Sequence, residues 1–326
     1  MTARCSAIYG EIFGKHDIGL HAECSTRLRE AIAGVPAEVQ RREPVAAPAS
    51  DLARVHTPGY IRMIRDLCAY GGRRYIDMNT YVTPDSFEVA SYAAGSACEA
   101  VDRSLAGEHS FALVRPPGHH AEPDQAMGFC LFNNASVAAA RALDRVERVA
   151  IVDWDLHHGN GTQKIFYESD RVLYCSIHQL NIFPRTGWVD EIGAGRGKGF
   201  NINAPIRGGG AIADYSYVFR EVFHPAIEQF HPDVLIVSAG QDPLFDDPIG
   251  GMQLHPQDFG LLATLLKAVF DRPIAFVLEG GYGASLGRAV EEIFRALIQD
   301  LPIPAESRFP RESTAGMVRQ LKKIVI

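Results

Sequence analysis

Asp155 and His157 stand two positions apart in the run Asp153-Trp154-Asp155-Leu156-His157-His158-Gly159-Asn160-Gly161. In an extended or loosely turned segment that spacing lets both side chains point to one side and grip one ion. Asp242, in Ser238-Ala239-Gly240-Gln241-Asp242, could complete the set. Three protein ligands with one open position is the arrangement of a catalytic zinc, whereas a structural zinc is closed by four ligands, often thiolates, and no cysteine sits in these loops. Taken alone, Asp-x-His is more simply a surface turn. Its company decides.

That company includes His119-His120, Asp153, Asn160 and Tyr282. Zinc lowers the pKa of a bound water toward about 7, and a neighbouring imidazole that accepts the proton can later deliver one to a leaving amine. Each imidazole needs an orienting partner, and Asp153 and Asn160 are the candidates. A carboxylate favours the charged form of its ring, while an amide orients the ring without raising its pKa as much. Tyr282 follows Gly280-Gly281, which let the backbone approach a metal closely, and its phenol can donate to a developing oxyanion. Gly128-Phe129 and Phe183-Pro184 supply aromatic rings on further loops that could wall a slot for an aliphatic stem, although by periodicity alone either Phe is more often a core residue.

Short apolar runs must position these groups: Phe111 to Val114, Val149 to Val152, Val172 to Ile177, Val234 to Val237 and Ile274 to Leu278. Each is rich in β-branched residues and ends in a polar or Gly-rich turn, the signature of buried parallel strands. Amphipathic helices through Val218 to Phe230 and Phe259 to Val269 separate the last of them, which predicts an α/β fold with a mostly parallel sheet and helices on both faces. Ligands of such sheets bind beyond the carboxyl ends of the strands, and four of the five loops there carry the reactive groups. The N-terminal third reads as helices and loops, with starts at Thr57-Pro58 and Thr83-Pro84. The Ala/Pro segment 43–50 reads as a surface loop, so residues 1–326 are expected to form a single catalytic domain.

The chain has 326 residues, 47% hydrophobic and 22% charged, with 32 Lys and Arg against 39 Asp and Glu and a formal charge of -7. This composition is that of an ordinary globular protein. Without clustered cations, a direct nucleic-acid partner is not expected. Six scattered cysteines with no C-x-x-C pair, no apolar leader and no membrane-length apolar run together point to the reducing cytoplasm and to no membrane partner. Gly193 to Gly199 lacks the Ser or Thr that a phosphate-binding P-loop needs after its lysine. Arg311, Arg319, Lys322 and Lys323 read as a solvated helix face.

Four motifs in order, Arg115-Pro116-Pro117-Gly118-His119-His120, the run from Asp153 through Gln163, Ser238 to Asp242, and Leu278 to Tyr282, resemble those of the zinc-dependent histone deacetylase and acetylpolyamine amidohydrolase family. The likeness extends from about His16 to the helix after Tyr282. It implies the arginase/deacetylase fold, with a parallel sheet of eight strands. It further implies Asp155, His157 and Asp242 as zinc ligands, Tyr282 as the group polarising the acetyl carbonyl, and His120 as general base. His119, paired with Asp153, would be the electrostatic partner or acid. Asn160 stands where the first branch of the family has aspartate, so the chain looks more like the second branch and its bacterial relatives. The resemblance also implies a tunnel walled by Phe129 and Phe183 beside Gly128, with Asn79 at its mouth and Arg27 near an internal acetate exit. A potassium ion held by Asp153, Asp155, His157, Ser176 and Ile177 belongs to the same implication.

Gln241 departs from a usual Phe, Pro243-Leu244-Phe245 from a common Ala-His, and Ala22 and Cys24 from family prolines. The expected activity is removal of acetyl or other short acyl groups from lysine side chains of proteins by metal-activated water, with Fe2+ or Co2+ as possible alternatives to zinc. An acetylpolyamine substrate shares that chemistry. An arginase-like dinuclear hydrolase needs a second carboxylate where Gly159 stands, and a noncatalytic metal- or peptide-binding module would keep the fold without needing Tyr282.

Overall fold

Apolar β-branched runs can be buried on both faces only where helices cover both sides of a sheet. The computed structural model describes residues 4–303 and 309–324 and contains ten strands. They are β1 (Cys5–Ile8), β2 (Gln40–Arg42), β3 (Arg74–Tyr75), β4 (Tyr81–Val82), β5 (His109–Ala112), β6 (Val149–Asp153), β7 (Val172–Gln179), β8 (Asn201–Ile206), β9 (Val234–Ala239) and β10 (Ala275–Leu278). Eight form one sheet in the order β2-β1-β5-β10-β9-β6-β7-β8, and β3 with β4 makes a small antiparallel ribbon. Every pairing in the large sheet is parallel, a stricter result than the mostly parallel sheet expected.

Two helix layers cover the sheet. Helix Ser86–Leu105 packs with Asn134–Ala142, and Pro256–Val269 packs with Leu286–Ile298. Phe111 of β5 meets both Phe276 of β10 and Phe294 of the second layer, and alternation along the strands turns the intervening residues toward the first. Trp154, Phe259 and Phe276 extend the same apolar seam. Each such ring contributes roughly 1.5–3 kcal/mol by burial.

The N-terminal expectations hold in part. Thr57 caps helix Pro58–Ala69 by accepting from Tyr60 N at 3.2 Å. The start read at Thr83-Pro84 falls at Ser86 instead, with Thr83 N donating to Ser86 Oγ. Strands β1, β2 and β8 of the large sheet, and the β3–β4 ribbon, are additions to the sequence reading. β5 begins two residues before the expected run because two polar residues there are buried with partners: His109 Nδ1 accepts from Ile274 N at 2.9 Å, and Ser6 donates to Ser110 at 3.1 Å. Segment 43–50 is packed more closely than a free loop: Ala47 N donates to Ser91 O, and a Cβ on Gly95 would stand 1.9 Å from Val45 O. Arg311 also differs, since it binds Asp214 at 2.9 Å and the carbonyls of Arg207 and Gly208. Among the described residues no helix is long and apolar enough to cross a membrane.

Candidate active site

β10, β9 and β6 are neighbours in the sheet, with Leu278 paired to Ala239 and Asp153 to Ser238. The segments leaving their carboxyl ends therefore emerge side by side, carrying Tyr282, Asp242, and Asp155 with His157. The loop after β5 brings His119 and His120 to the same edge. Glu279 ties that loop down, since its buried carboxylate accepts from Gly118 N at 2.6 Å, His119 N at 3.1 Å and Ser238 Oγ at 3.1 Å.

His157 Nδ1 lies 3.0 Å from Asp242 Oδ2 and 3.3 Å from Asp155 Oδ1. The ligand atoms of these three residues all fall within 4.8 Å of one another. The remaining carboxylate oxygens are held by backbone, with Gly280 N donating to Asp155 Oδ2 at 2.8 Å and Leu156 N to Asp242 Oδ1 at 2.9 Å. Two glycines make room: a Cβ on Gly240 would stand 2.0 Å from Asp155 Oδ2, and one on Gly280 would stand 2.5 Å from Asp242 Oδ2. Burial, then Asp155, pushes the Asp242 carboxyl up to about 7. Buried carboxylates this close call for a cation, so this donor set fits a divalent metal. Gly159 has no space for a second carboxylate, because a Cβ there would meet Asp153 Oδ2 at 2.4 Å and the Tyr174 hydroxyl at 2.5 Å.

The two histidines have opposite surroundings. His119 Nδ1 is 3.1 Å from Asp153 Oδ2, which also accepts from the Tyr174 hydroxyl at 3.0 Å. Burial opposes protonation of His119, but Asp155 and Asp153 outweigh it and raise its pKa to about 10. His120 Nδ1 is 2.8 Å from Asn160 Oδ1, and burial together with His119 and His157 holds its pKa well below the ordinary value. A pair split this way offers a charged group and a neutral base side by side. The Tyr282 phenol is pushed well up by burial, against the pull of Arg27, and so keeps its proton.

A cavity of about 360 Å³ opens over these groups, lined by His119, His120, Gly128, Phe129, Asp155, His157, Phe183, Asp242, Tyr282 and Asn79, as well as by Asp77, Met78, Pro117, Ile249 and Gly280. Gly128 (φ 57°) lies against the His120 ring, where a Cβ would be 2.4 Å from Cδ2. Phe129 follows at φ 70° and is fixed by its N–H donating to Thr80 Oγ1 at 3.0 Å. Phe183 meets His120 edge-on with ring centroids 5.0 Å apart. Asp153, Asn160 and Arg27 stand behind the lining residues rather than on it. Ser176 and Ile177 lie in β7, with Ser176 paired to Asp153.

Sequence reasoning did not anticipate Met78, Ile249, Glu279 or Glu122, whose Oε1 accepts from Asn160 Nδ2 at 2.9 Å. Glu279 was visible as a carboxylate beginning Glu279-Gly280-Gly281-Tyr282, directly after a strand. Ile249 carries no signal of its own. Of the departures, Cys24 sits at φ -134°, outside proline's range. Gln241 is fully buried, and neither amide atom has a hydrogen-bond partner. Leu244 is buried, while the exposed Phe245 packs on His255 with ring centroids 4.7 Å apart.

The histone deacetylase domain matches residues 21–297. A histone deacetylase-like amidohydrolase of Pseudomonas aeruginosa is 41% identical over 315 residues, covering 86% of this chain and 82% of its own. A probable deacetylase of Archaeoglobus fulgidus is 39% identical over 247 residues, covering 74% of this chain and 68% of its own. Histone deacetylase 18 of Arabidopsis thaliana is 36% identical across 97% of this chain, which spans only 51% of that longer protein. The crystal structure of the HDA15 HD domain superposes with a TM-score of 0.92 at 31% identity, over 99% of this chain and 95% of that one. The eight-stranded parallel sheet is thus the arginase/deacetylase fold, and the chain belongs to the histone deacetylase family of deacetylase hydrolases.

Proposed function

We propose that residues 1–326 act as one catalytic domain that hydrolyses the amide of acetylated or short-acylated lysine side chains in proteins. The observation carrying this reading is the convergence of the Asp155–His157–Asp242 cluster, the unlike histidines and Tyr282 on one cavity with aromatic walls. Asp155, His157 and Asp242 would hold a divalent ion, zinc by preference, which supplies Lewis-acid polarisation and a more acidic water. His120, neutral and free at Nε2, takes the water's proton. His119, charged beside Asp153, stabilises developing negative charge and returns a proton to the leaving amine. Tyr282 donates its hydroxyl hydrogen to the oxyanion. Phe129 and Phe183, with Gly128 beside them, flank the aliphatic stem, and Asn79 faces the substrate at the mouth.

Arg27 stands behind Tyr282 with Nη1 lacking a hydrogen bond, a position suited to a departing acetate. Asp153, Asp155, His157, Ser176 and Ile177 are assigned to a potassium ion. The lysine reading is favoured over a polyamine by the mouth. Met78, Phe183 and Ile249 are apolar and exposed there. The Asp77 carboxylate is taken up by its own loop, accepting from Asn79 N at 2.8 Å and from Thr80 N at 2.5 Å. Six unpaired cysteines suit the cytoplasm.

The test is kcat/KM across acetyl-lysine peptides, longer acyl-lysine peptides and acetylpolyamines. Acyl-lysine peptides should lead. Preference for the polyamines would overturn the substrate assignment, and inactivity on every member would overturn the enzymatic one.

A further inference from the structure

Asn160 is an amide held between two groups that each accept only one end of it. Its Oδ1 lies 2.8 Å from His120 Nδ1, and its Nδ2 donates to Glu122 Oε1 at 2.9 Å. Glu122 is itself fixed: Lys164 Nζ donates to Oε2 at 2.5 Å, its backbone N–H donates to Gln125 O, and its carbonyl lies 3.0 Å from His56 Nδ1. An ionised carboxylate has acceptors only, so it binds the NH2 end of the amide and rejects the carbonyl end. The weaker neighbours of Nδ2, His120 O and Met127 Sδ at 3.4 Å, are acceptors too. Oδ1 is thereby turned toward His120, and an oxygen in that place requires a hydrogen on Nδ1. The proton of the neutral imidazole is confined to Nδ1, and the Nε2 lone pair is left facing the cavity.

We propose that Glu122 is a positioning residue for the hydrolysis: through Asn160 it sets the tautomer of His120, and Lys164 secures Glu122 from the protein surface. The inference rests on the reading of His120 as the base. It also gives a reason for the amide at position 160. Aspartate there would bring two carboxylates within 2.9 Å of each other, so Asp at 160 is compatible with this site only when position 122 is uncharged.

The test uses the full-length zinc-loaded enzyme with 15N-labelled histidine, His120 being assigned by comparison with His120→Asn. In the unsubstituted protein at neutral pH, His120 should carry its proton on Nδ1. Glu122→Ala should mix the tautomers and lower kcat roughly tenfold or more, with KM and metal content unchanged. Asn160→Asp should lose a similar factor alone and regain most of it when combined with Glu122→Gln. The inference is overturned by Nε2 protonation in the unsubstituted enzyme, by unchanged kcat in Glu122→Ala, by a loss confined to KM, or by equal losses from Asn160→Asp in both backgrounds. Should Glu122→Ala fail to fold, the unsubstituted tautomer and the paired substitutions still decide. Should the enzyme cleave no acyl-amine at all, the proposed function falls while the tautomer measurement continues to test Glu122.

Discussion

Arg27 and Tyr282 are stacked, with the guanidinium carbon 4.9 Å from the ring centroid. From the same guanidinium, Nε donates to Gly281 O at 2.6 Å and Nη2 donates to Glu279 O. One side chain thus holds both ends of the turn that presents the phenol, and Glu23 anchors it from behind at 3.6 Å. Arg27→Ala is expected to lower kcat roughly tenfold with metal content intact, on the scale of lost outer-shell support. Arg27→Lys should not restore it, because an ammonium cannot bond two carbonyls in a plane while stacking on the ring. Steady-state kinetics with metal analysis checks both.

Tyr282→Phe removes the hydroxyl and leaves the ring contact with Phe129, whose centroid is 5.8 Å away. Turnover should fall about a hundredfold or more, the scale for one oxyanion donor. Metal content and melting temperature should stay unchanged. Retained turnover would remove Tyr282 from the chemistry.

Asp155, His157 and Asp242 form the one group of three or more potential ligands found among the described residues. Chelation should abolish turnover and lower the melting temperature, since ion binding to the folded state alone adds stability by linkage. Metal analysis of the restored enzyme should give about one divalent ion per chain. Two tightly bound ions would contradict the mononuclear assignment.

Gly128→Ala places a methyl 2.4 Å from His120 Cδ2, at a φ of 57° that L residues avoid. His120 must shift, and misplacement of a reacting group by about 1 Å can cost about a hundredfold. A kcat within twofold of the unsubstituted enzyme would show that the ring tolerates the displacement.

Acid should weaken the fold through a histidine away from the site. Burial, then Lys267, pushes His109 down to about 4 from an ordinary 6.5, while its Nδ1 accepts from Ile274 N. A folded-state pKa below the unfolded one contributes stability above about pH 6.5, which is lost as the pH falls toward 4. Between pH 7 and pH 5 this group should account for about 2 kcal/mol. Denaturant titrations of the unsubstituted protein and of His109→Gln should differ by that amount in the stability lost between pH 7 and pH 5, and equal losses would remove the assignment.

The gathering of candidate residues at the strand ends was largely legible because β6, β9 and β10 are continuous apolar runs ending in polar motifs, and such runs have few structural alternatives. β1, Cys5-Ser-Ala-Ile, is too short and too mixed to stand out, yet it lies inside the sheet between β2 and β5. β2 is three polar residues at the sheet's edge, and β8 carries Asn201, Asn203 and Pro205, whose composition argues against a strand. Both asparagines are accommodated because Gln163 Oε1 accepts from each, at 2.9 and 2.7 Å. Sequence spacing gives no account of such cross-chain partners. For the same reason Glu122 and Ile249, which join the site from loops without a motif, stayed hidden.

The backbone ladder joining β10, β9 and β6 fixes how far each reactive side chain rises above the sheet, with Val277 level with Ser238 and Ser238 level with Asp153. Met78, Phe183 and Ile249 hang from separate loops that take no part in that ladder. Exchange of Met78 and Ile249 can therefore reshape the entrance without moving the groups beneath, whereas Phe183, packed on His120, links the two. The molecule behaves as a fixed engine with a partly interchangeable entrance.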